Sequence, residues 1–347
     1  NHSRTQNFYE KIEKILIYYK NDIQKYFSNS EIFNIFNHNI RILLFLFKNQ
    51  FITFDEYILK SIHSEKYFSY FLPEINNFFQ NNENKCKKIL SEEEIGELKK
   101  KLPNKYEAKR KIGENDSYIC ELIRNDDVDE FISYVNKNLI PLNSIIEKSI
   151  FETNPMLIAN DNITLIEYAA FFGSIQILRY LYLNEARIKS SLWFYSIHGN
   201  HPEIIDICEK NIKSQENDYV KYINESIKCH HNDIVNYLIQ NENVHILSIN
   251  FLVVCKSFNF IQFNREFMNP SNFYIFCKYD YISIVDLFLC FTNIDINNGK
   301  YDIIIYFIYI SPLQISINKQ NIEIVQLLLK DKRININAKC ILDLIFS

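Results

Sequence analysis

Histidine and cysteine supply the first candidates for chemistry. His198 and His201 form an H-x-x-H pair, and Cys229-His230-His231 follows later in the chain. Imidazole nitrogens and a thiolate are zinc ligands when a fold brings them together. Both clusters fall where a short turn between helices is expected, and polar residues and histidine are ordinary there. The turn reading is the one adopted, so no metal and no cofactor are expected. Cysteine with histidine also invites a nucleophile, yet no protease-like signature surrounds any of the eight cysteines. Glycines stand only at 96, 113, 173, 199 and 299, which excludes a G-x-G-x-x-G or P-loop phosphate cradle. The acidic groups Asp126-Asp127 and Glu92-Glu93-Glu94 lie at expected helix starts, where the helix dipole favours acid. No catalytic residue emerges, and the chain reads as a non-enzyme.

The elements that carry these residues repeat. Thr164–Leu183 (TLIEYAAFFG, then SIQILRYLYL) aligns without a gap on Ser311–Leu329 (SPLQISINKQ, then NIEIVQLLL). Residues 191–208, 221–238 and 271–289 fit the same two-helix template. In the second helix an apolar pair is followed by a third apolar residue: Ile177-Leu178 with Leu181, Ile204-Ile205 with Cys208, and Ile234-Val235 with Leu238. Ile284-Val285 with Phe288 and Ile324-Val325 with Leu328 continue the series. Apolar residues at i, i+1 and i+4 make one helical stripe, which a lone helix pair cannot bury but a stack of pairs can. The first helix carries a pair near its centre, Ala169-Ala170, Ser196-Ile197, Ser226-Ile227, Phe276-Cys277 and Ser316-Ile317, mostly small enough for close approach. Thr164 with Glu167 forms a capping box, and Pro312 takes the first helical position after Ser311. Leu165 and Leu313 are expected in the core. Trp193, the single tryptophan, aligns with Ile166, Ile223, Phe273 and Leu313, which places it in the core rather than at a binding hot spot.

This pattern resembles the ankyrin repeat, T-P-L-H-x-A-A through G-H to an E-V-V-x-L-L-L helix. Pro312-Leu313, Ala169-Ala170, Gly173 and the helix-two pairs carry the likeness over roughly residues 115–340. At the glycine position stand Gly173, Asn200, His230, Asp280 and Gln320; of these, His230, Asp280 and Gln320 suit a left-handed turn less readily. A further degenerate unit fits around residues 251–263. Segments 114–124, 149–154, 164–183 and 225–233 are also similar to a trichomonad-type expanded group of ankyrin proteins with an N-terminal helical domain of unknown function. The resemblance implies an intracellular, cytoplasmic protein that binds another protein through the concave face and loops of its repeats.

The expected fold is all-α: an α-solenoid of degenerate ankyrin-like helix pairs preceded by a helical N-terminal domain. The boundaries are 1–84 for the helical region, 85–112 for a charged linker with a short helix, and 113–347 for the repeats. The clearest units are 164–188, 191–212, 221–243, 271–293 and 311–337. Within the first region, Phe8, Ile12, Ile15 and Tyr19 share a face, a helical segment covers 30–47, and another over 53–71 opens with a Thr53/Glu56 capping box. Ser91 and Glu94 cap a short helix that Pro103 ends.

Composition narrows the function. Net charge is −4 with both signs mixed, against the basic excess of nucleic-acid binders. The competing reading is a nucleic-acid or membrane-surface adaptor using the basic segment 99–111. Hydrophobic residues at 47% and charged at 23% argue for a folded chain rather than a disordered one. No apolar run reaches the ~18 residues of a membrane span. Scattered cysteines point to reduced thiols rather than a disulfide framework. Residues 298–310 are apolar and overlong for a repeat connection. Gly299-Lys300-Tyr301 can be encoded by a splice-donor-like sequence, so a translated intron is one expectation there. The chain starts without Met and ends on a repeat just begun, 340–347, which suggests a fragment or processed form.

Overall fold

A computed structural model describes residues 6–63, 68–81, 93, 96, 106–241, 251–259, 270–290, 295–297, 300–302 and 308–337. The fold is all-α apart from one short strand pair. The chain divides into two units, 1–212 and 213–347.

The first unit begins with helices α1 (Gln6–Tyr18), α2 (Lys20–Tyr26), α3 (Asn29–Phe36), α4 (Ile40–Lys48), α5 (Glu56–His63) and α6 (Leu72–Asn81). Their apolar faces close on a core that includes Leu16, Phe33, Leu43, Leu46, Leu59 and Phe71. Local capping sets the helix starts. Ser28 and Glu31 form a capping box, with Ser28 N donating to Glu31 Oε2 at 2.8 Å. The segment expected as one helix over 30–47 is broken, because Asn39 caps α4 by accepting from Ile42 N. Thr53 does not cap α5. Asp55 does, accepting from Ile58 N at 2.8 Å, while Thr53 N donates to Asn29 Oδ1. The buried face of α1 is also rotated by about one position from the expected one. Tyr9, Ile12 and Leu16 pack inward, whereas Ile15 and Tyr19 are 58% and 50% exposed. A step of 100° per residue makes a one-position error swap neighbouring faces.

Residues 106–112, expected as the end of a linker, form helix α7 (Tyr106–Ile112), and its Arg110 is only 2% exposed. Two Arg110 nitrogens donate to the two carboxylate oxygens of Glu74 at 2.6 and 2.9 Å. Glu107 and the Tyr70 carbonyl accept further bonds, and the Tyr70 hydroxyl donates to the Arg110 carbonyl at 2.9 Å. A guanidinium is suited to this role because its planar fork satisfies a carboxylate bidentately. Ser91, Glu94 and Pro103 lie outside the described residues.

Helix pairs follow: α8 (Tyr118–Asn125) with α9 (Val128–Lys137), then, after a long connection holding α10 (Pro155–Ala159), α11 (Leu165–Phe172) with α12 (Ile175–Leu183). The unit ends with α13 (Leu192–Gly199) and α14 (Pro202–Asn211). The division at 212 falls within residues 113–347, the region expected to hold the repeats. The N-terminal helices and the first pairs are one body because α7 is anchored to α6 and its end, Gly113, accepts from both Thr153 N and Thr153 Oγ1.

The second unit holds α15 (Glu216–Cys229) with α16 (Asn232–Asn241), then α17 (Phe251–Lys256), α18 (Pro270–Lys278) with α19 (Ile282–Leu289), and α20 (Pro312–Asn318) with α21 (Ile322–Lys330). The degenerate unit expected near 251–263 corresponds to α17; residues 260–263 lie outside the described ones. Strands β1 (Lys300–Asp302) and β2 (Ile308–Ile310) pair antiparallel, Tyr301 opposite Tyr309. Residues 303–307 of that overlong segment and residues 340–347 are not described.

Candidate interaction surface

Each helix pair turns on one left-handed residue. Asp126, Gly173, Asn200, His230, Phe258, Asp280 and Gln320 have φ between 51° and 69°. Glycine is replaced by bulkier residues, yet the conformation persists: at six of the seven turns the following N–H closes back on the first helix, and at the remaining one Asn200 N itself bonds Ser196 O at 3.0 Å. Asp127 N reaches Leu122 O at 3.1 Å, Ser174 N reaches Ala169 O at 2.9 Å, and His231 N reaches Ser226 O at 3.0 Å. Asn259, Tyr281 and Asn321 do the same to Val254, Phe276 and Ser316. This six-to-one bond satisfies helix-end carbonyls, and that gain holds non-glycine residues in a region costing about 1–2 kcal/mol.

The residue after the turn also braces neighbouring pairs within each unit. Ser174 Oγ donates to Ile123 O, Asn259 Nδ2 to Ile227 O at 3.0 Å, and Asn321 Nδ2 to Cys277 O at 2.7 Å. Sequence reasoning missed these struts; the signal was a recurring polar residue just after the turn. The buried serines of the first helices follow a rule of their own. Ser196, Ser226 and Ser316 are fully buried and donate to the carbonyl four residues back, Leu192, Tyr222 and Pro312, at 2.7–2.9 Å. A small residue thus sits at the contact with its hydroxyl already satisfied. The closest approach is at Gly199, where a Cβ would lie 2.1 Å from Ala170 O.

The expected core positions are buried in the main. Leu165, Ala169, Ala170, Ile177, Leu178, Leu181, Trp193, Ile204, Ile205, Ile234, Val235, Leu238, Val285, Leu313, Ile324 and Leu328 are at most 6% exposed. Gly173, Ile284 and Val325 are only half-buried. Position matters here. Ile123, Ala170, Ile197, Ile227, Cys255 and Cys277 occupy one equivalent site and are fully buried, whereas Ile317 at that site in α20 is 54% exposed. Val325 is equivalent to Phe131, Leu178, Val235 and Val285, each fully buried. The face that inner pairs cover is uncovered in the last described pair.

Residues 310–341, which span α20, α21 and the turn after them, match the ankyrin-repeat family model. The chain carries an ankyrin repeat. No curated protein matches it. The helix pairs preceding that repeat share its left-handed turn and its inward apolar stripe, and α13 and α15 share its buried serine.

The histidines take places within this ankyrin-type geometry. His198 is buried near the end of α13, its ring stacked on Phe171 at 5.3 Å between centroids. His201 stands at the N-cap of α14. His230 is the left-handed turn residue after α15, with Nε2 2.8 Å from Ser257 O. Cys229 closes α15 and is buried, and His231 supplies the turn-closing N–H. His198 and His201 lie in the first unit, and Cys229, His230 and His231 in the second. Burial pushes the thiols of Cys120, Cys208, Cys255 and Cys277 up to about 11 or 12. Thiols held that high stay protonated at neutral pH and are poor nucleophiles.

Exposed aliphatics mark the connections of the first unit. Leu139 and Leu183 are 87% and 77% exposed, and Ile145 and Ile150 also face solvent. The connection from 138 to 164 is far longer than that from 184 to 191. It is tied down by Ile146 N to Ile163 O at 2.7 Å and Leu165 N to Ser144 O at 3.2 Å. It borders a half-open cavity of about 370 Å³ whose wall includes Ile146, Leu157, Ile163, Asn115, Glu152 and Tyr168. Burial pushes the Glu152 carboxyl up to about 7, although it accepts from Asn154 N at 2.8 Å and Asn115 N at 3.3 Å. Behind it, Arg124 donates to the Tyr168 hydroxyl at 3.0 Å and to Asn115 O at 2.7 Å, and pairs with Glu114 at 2.8 Å. Among the described residues, no helix is long and apolar enough to cross a membrane.

Proposed function

We propose that this chain is a cytoplasmic protein-binding scaffold that catalyses no reaction. Its partner docks on the repeat stack through the concave face and the connections between helix pairs. The observation that carries the reading is the ankyrin repeat at 310–341 in a chain whose other helix pairs share its geometry. Stacked repeats present extended surfaces on which side chains vary without disturbing the core. The exposed Leu139 and Ile145 on the long connection, and Leu183 at the end of α12, add apolar contact area to such a surface. The similarity of several segments to the trichomonad-type ankyrin group supports the same role. The basic segment 99–111 is a weaker basis for a nucleic-acid or membrane adaptor. Of its three described cations, Arg110 is buried on Glu74, Lys109 is paired with Asp116 at 2.6 Å, and Lys111 is exposed.

The full chain used as bait in native extract, washed at rising salt, tests the reading. A protein partner that stays bound at several hundred millimolar salt and is lost with Leu139→Asp plus Leu183→Asp is the expected result. Retention of nucleic acid or anionic vesicles alone, collapsing with salt, would falsify it.

A further inference from the structure

We propose that the half-open cavity bordered by the 138–164 connection is a binding site for a primary alkylammonium group, either a lysine side chain or a free aliphatic amine. Three observations carry it. First, the connection is long, pinned at both ends and folded around a cavity of about 370 Å³, whereas the connection at 184–191 is short. Long ordered excursions within compact domains usually serve a function, and this volume lies in the range of small-ligand pockets. Second, its wall is largely aliphatic, from Ile146, Ile150, Leu157, Ile158 and Ile163, which suits a methylene chain rather than a hydrated polar ligand. Third, its charge is acidic. Glu152, 9% exposed, and the solvent-exposed Glu147 both line the cavity, and the lining Lys148 is paired with Asp161.

The geometry of Glu152 selects the head group. One carboxylate oxygen accepts from Asn154 N and the other from Asn115 N, so the group is fixed in place with a lone pair left on each oxygen. A guanidinium fork must engage both oxygens at once, and each of them already accepts a backbone N–H. An ammonium is a point donor and needs only one of the remaining lone pairs. Anionic ligands meet two carboxylates. A buried carboxylate that burial drives toward its neutral form gains most from a cation beside it.

Calorimetric titration of the full chain with n-hexylammonium, n-hexanol and hexanoate at pH 8 tests this directly. Hexylammonium is expected to bind at least tenfold more tightly than hexanol, with hexanoate weakest. Glu152→Gln should reduce hexylammonium to the level of hexanol, and Ile150→Trp, which adds bulk at a lining position and keeps the charge, should weaken both. Far-UV circular dichroism and thermal midpoints establish that each variant is folded. The ammonium preference should shrink at pH 6 as Glu152 takes up a proton. The groups around it are Glu114, Arg124, Tyr168, Cys120 and Tyr9 with Arg41, and burial holds the Tyr168 and Cys120 protons on throughout that range. Parallel titrations with Nα-acetyl-lysine amide and a lysine-containing hexapeptide separate the two sources, and binding of either class upholds the site. Equal binding of hexylammonium and hexanol, survival of the preference in Glu152→Gln, or no binding by any probe overturns it. Only the lysine arm rests on the scaffold reading; the free-amine arm stands or falls independently of partner capture.

Discussion

At the scale of single residues, two side-chain positions carry more than their types announce. Gly199 lies against the Ala170 carbonyl so closely that any Cβ must push α11 and α13 apart. Gly199→Ala is expected to cost about 2–3 kcal/mol in urea denaturation, as overpacking of a rigid contact does. Gly173→Ala should cost less, about 1–2 kcal/mol, from its left-handed φ of 69°. Equal losses at the two positions would contradict the close approach. Glu152 is the residue through which pH acts. Its folded pKa of about 7 lies above the ordinary 4.5, so the folded state binds the extra proton between those values. The stability it contributes is therefore full below pH ~4.5 and is lost as pH rises through about 7. Relative to Glu152→Gln, the wild-type protein should lose about 2 kcal/mol between pH 5 and pH 8. A stability difference that does not change over that range would remove Glu152 as the titrating group.

At the scale of elements, the turn between paired helices varies in residue type from repeat to repeat while its geometry is constant. His230, Asp280 and Gln320 adopt the left-handed conformation that glycine adopts at 173. Their side chains are tolerated because the next N–H bonds back to the first helix, not because they favour that region. Gln320→Gly should therefore stabilise the second unit by about 0.5–1 kcal/mol, read as a rise in urea midpoint at unchanged slope. A drop would mean that the Gln320 side chain contributes more than its backbone costs. The expected capping box at Thr164 is present, with Thr164 N on Glu167 at 2.8 Å, and Ser311 forms one as well, its N donating to Gln314 at 2.9 Å ahead of Pro312 at the first helical position. The one at Thr53 is absent because Asp55 stands nearer the first turn and is the stronger acceptor.

At the scale of the whole molecule, each unit is held by contacts among its own successive elements, which is the arrangement that gives stacked repeats local stability. Leu46→Ala removes a fully buried side chain from the N-terminal core, and Ile324→Ala one from the last described pair. Each should cost about 2–4 kcal/mol. By hydrogen exchange, Leu46→Ala should deprotect residues 40–62 and leave 312–330 unchanged, and Ile324→Ala should do the reverse. Uniform loss of protection in both variants would indicate a single cooperative fold. The uncovered Ile317 and Val325 show the same nearest-neighbour logic from the other side: a stacking face is buried only where another pair covers it.

The sequence alone determined the helix pairs, their apolar stripe and the class of fold, because periodicity at i, i+1 and i+4 and capping pairs are local properties that one strand of text contains in full. Tertiary structure decided the rest. Arg110 looked like linker charge, and only the convergence of Glu74, Tyr70 and Tyr106 from distant positions makes it a buried anchor. The face of α1 was misjudged by one position, since aromatic and aliphatic residues occur all around that helix and packing alone selects among them. The cavity beside Glu152 has no sequence signature. It exists because a long connection returns to its own starting point, and a carboxyl among ordinary loop residues acquires its altered acidity only when that return removes it from water.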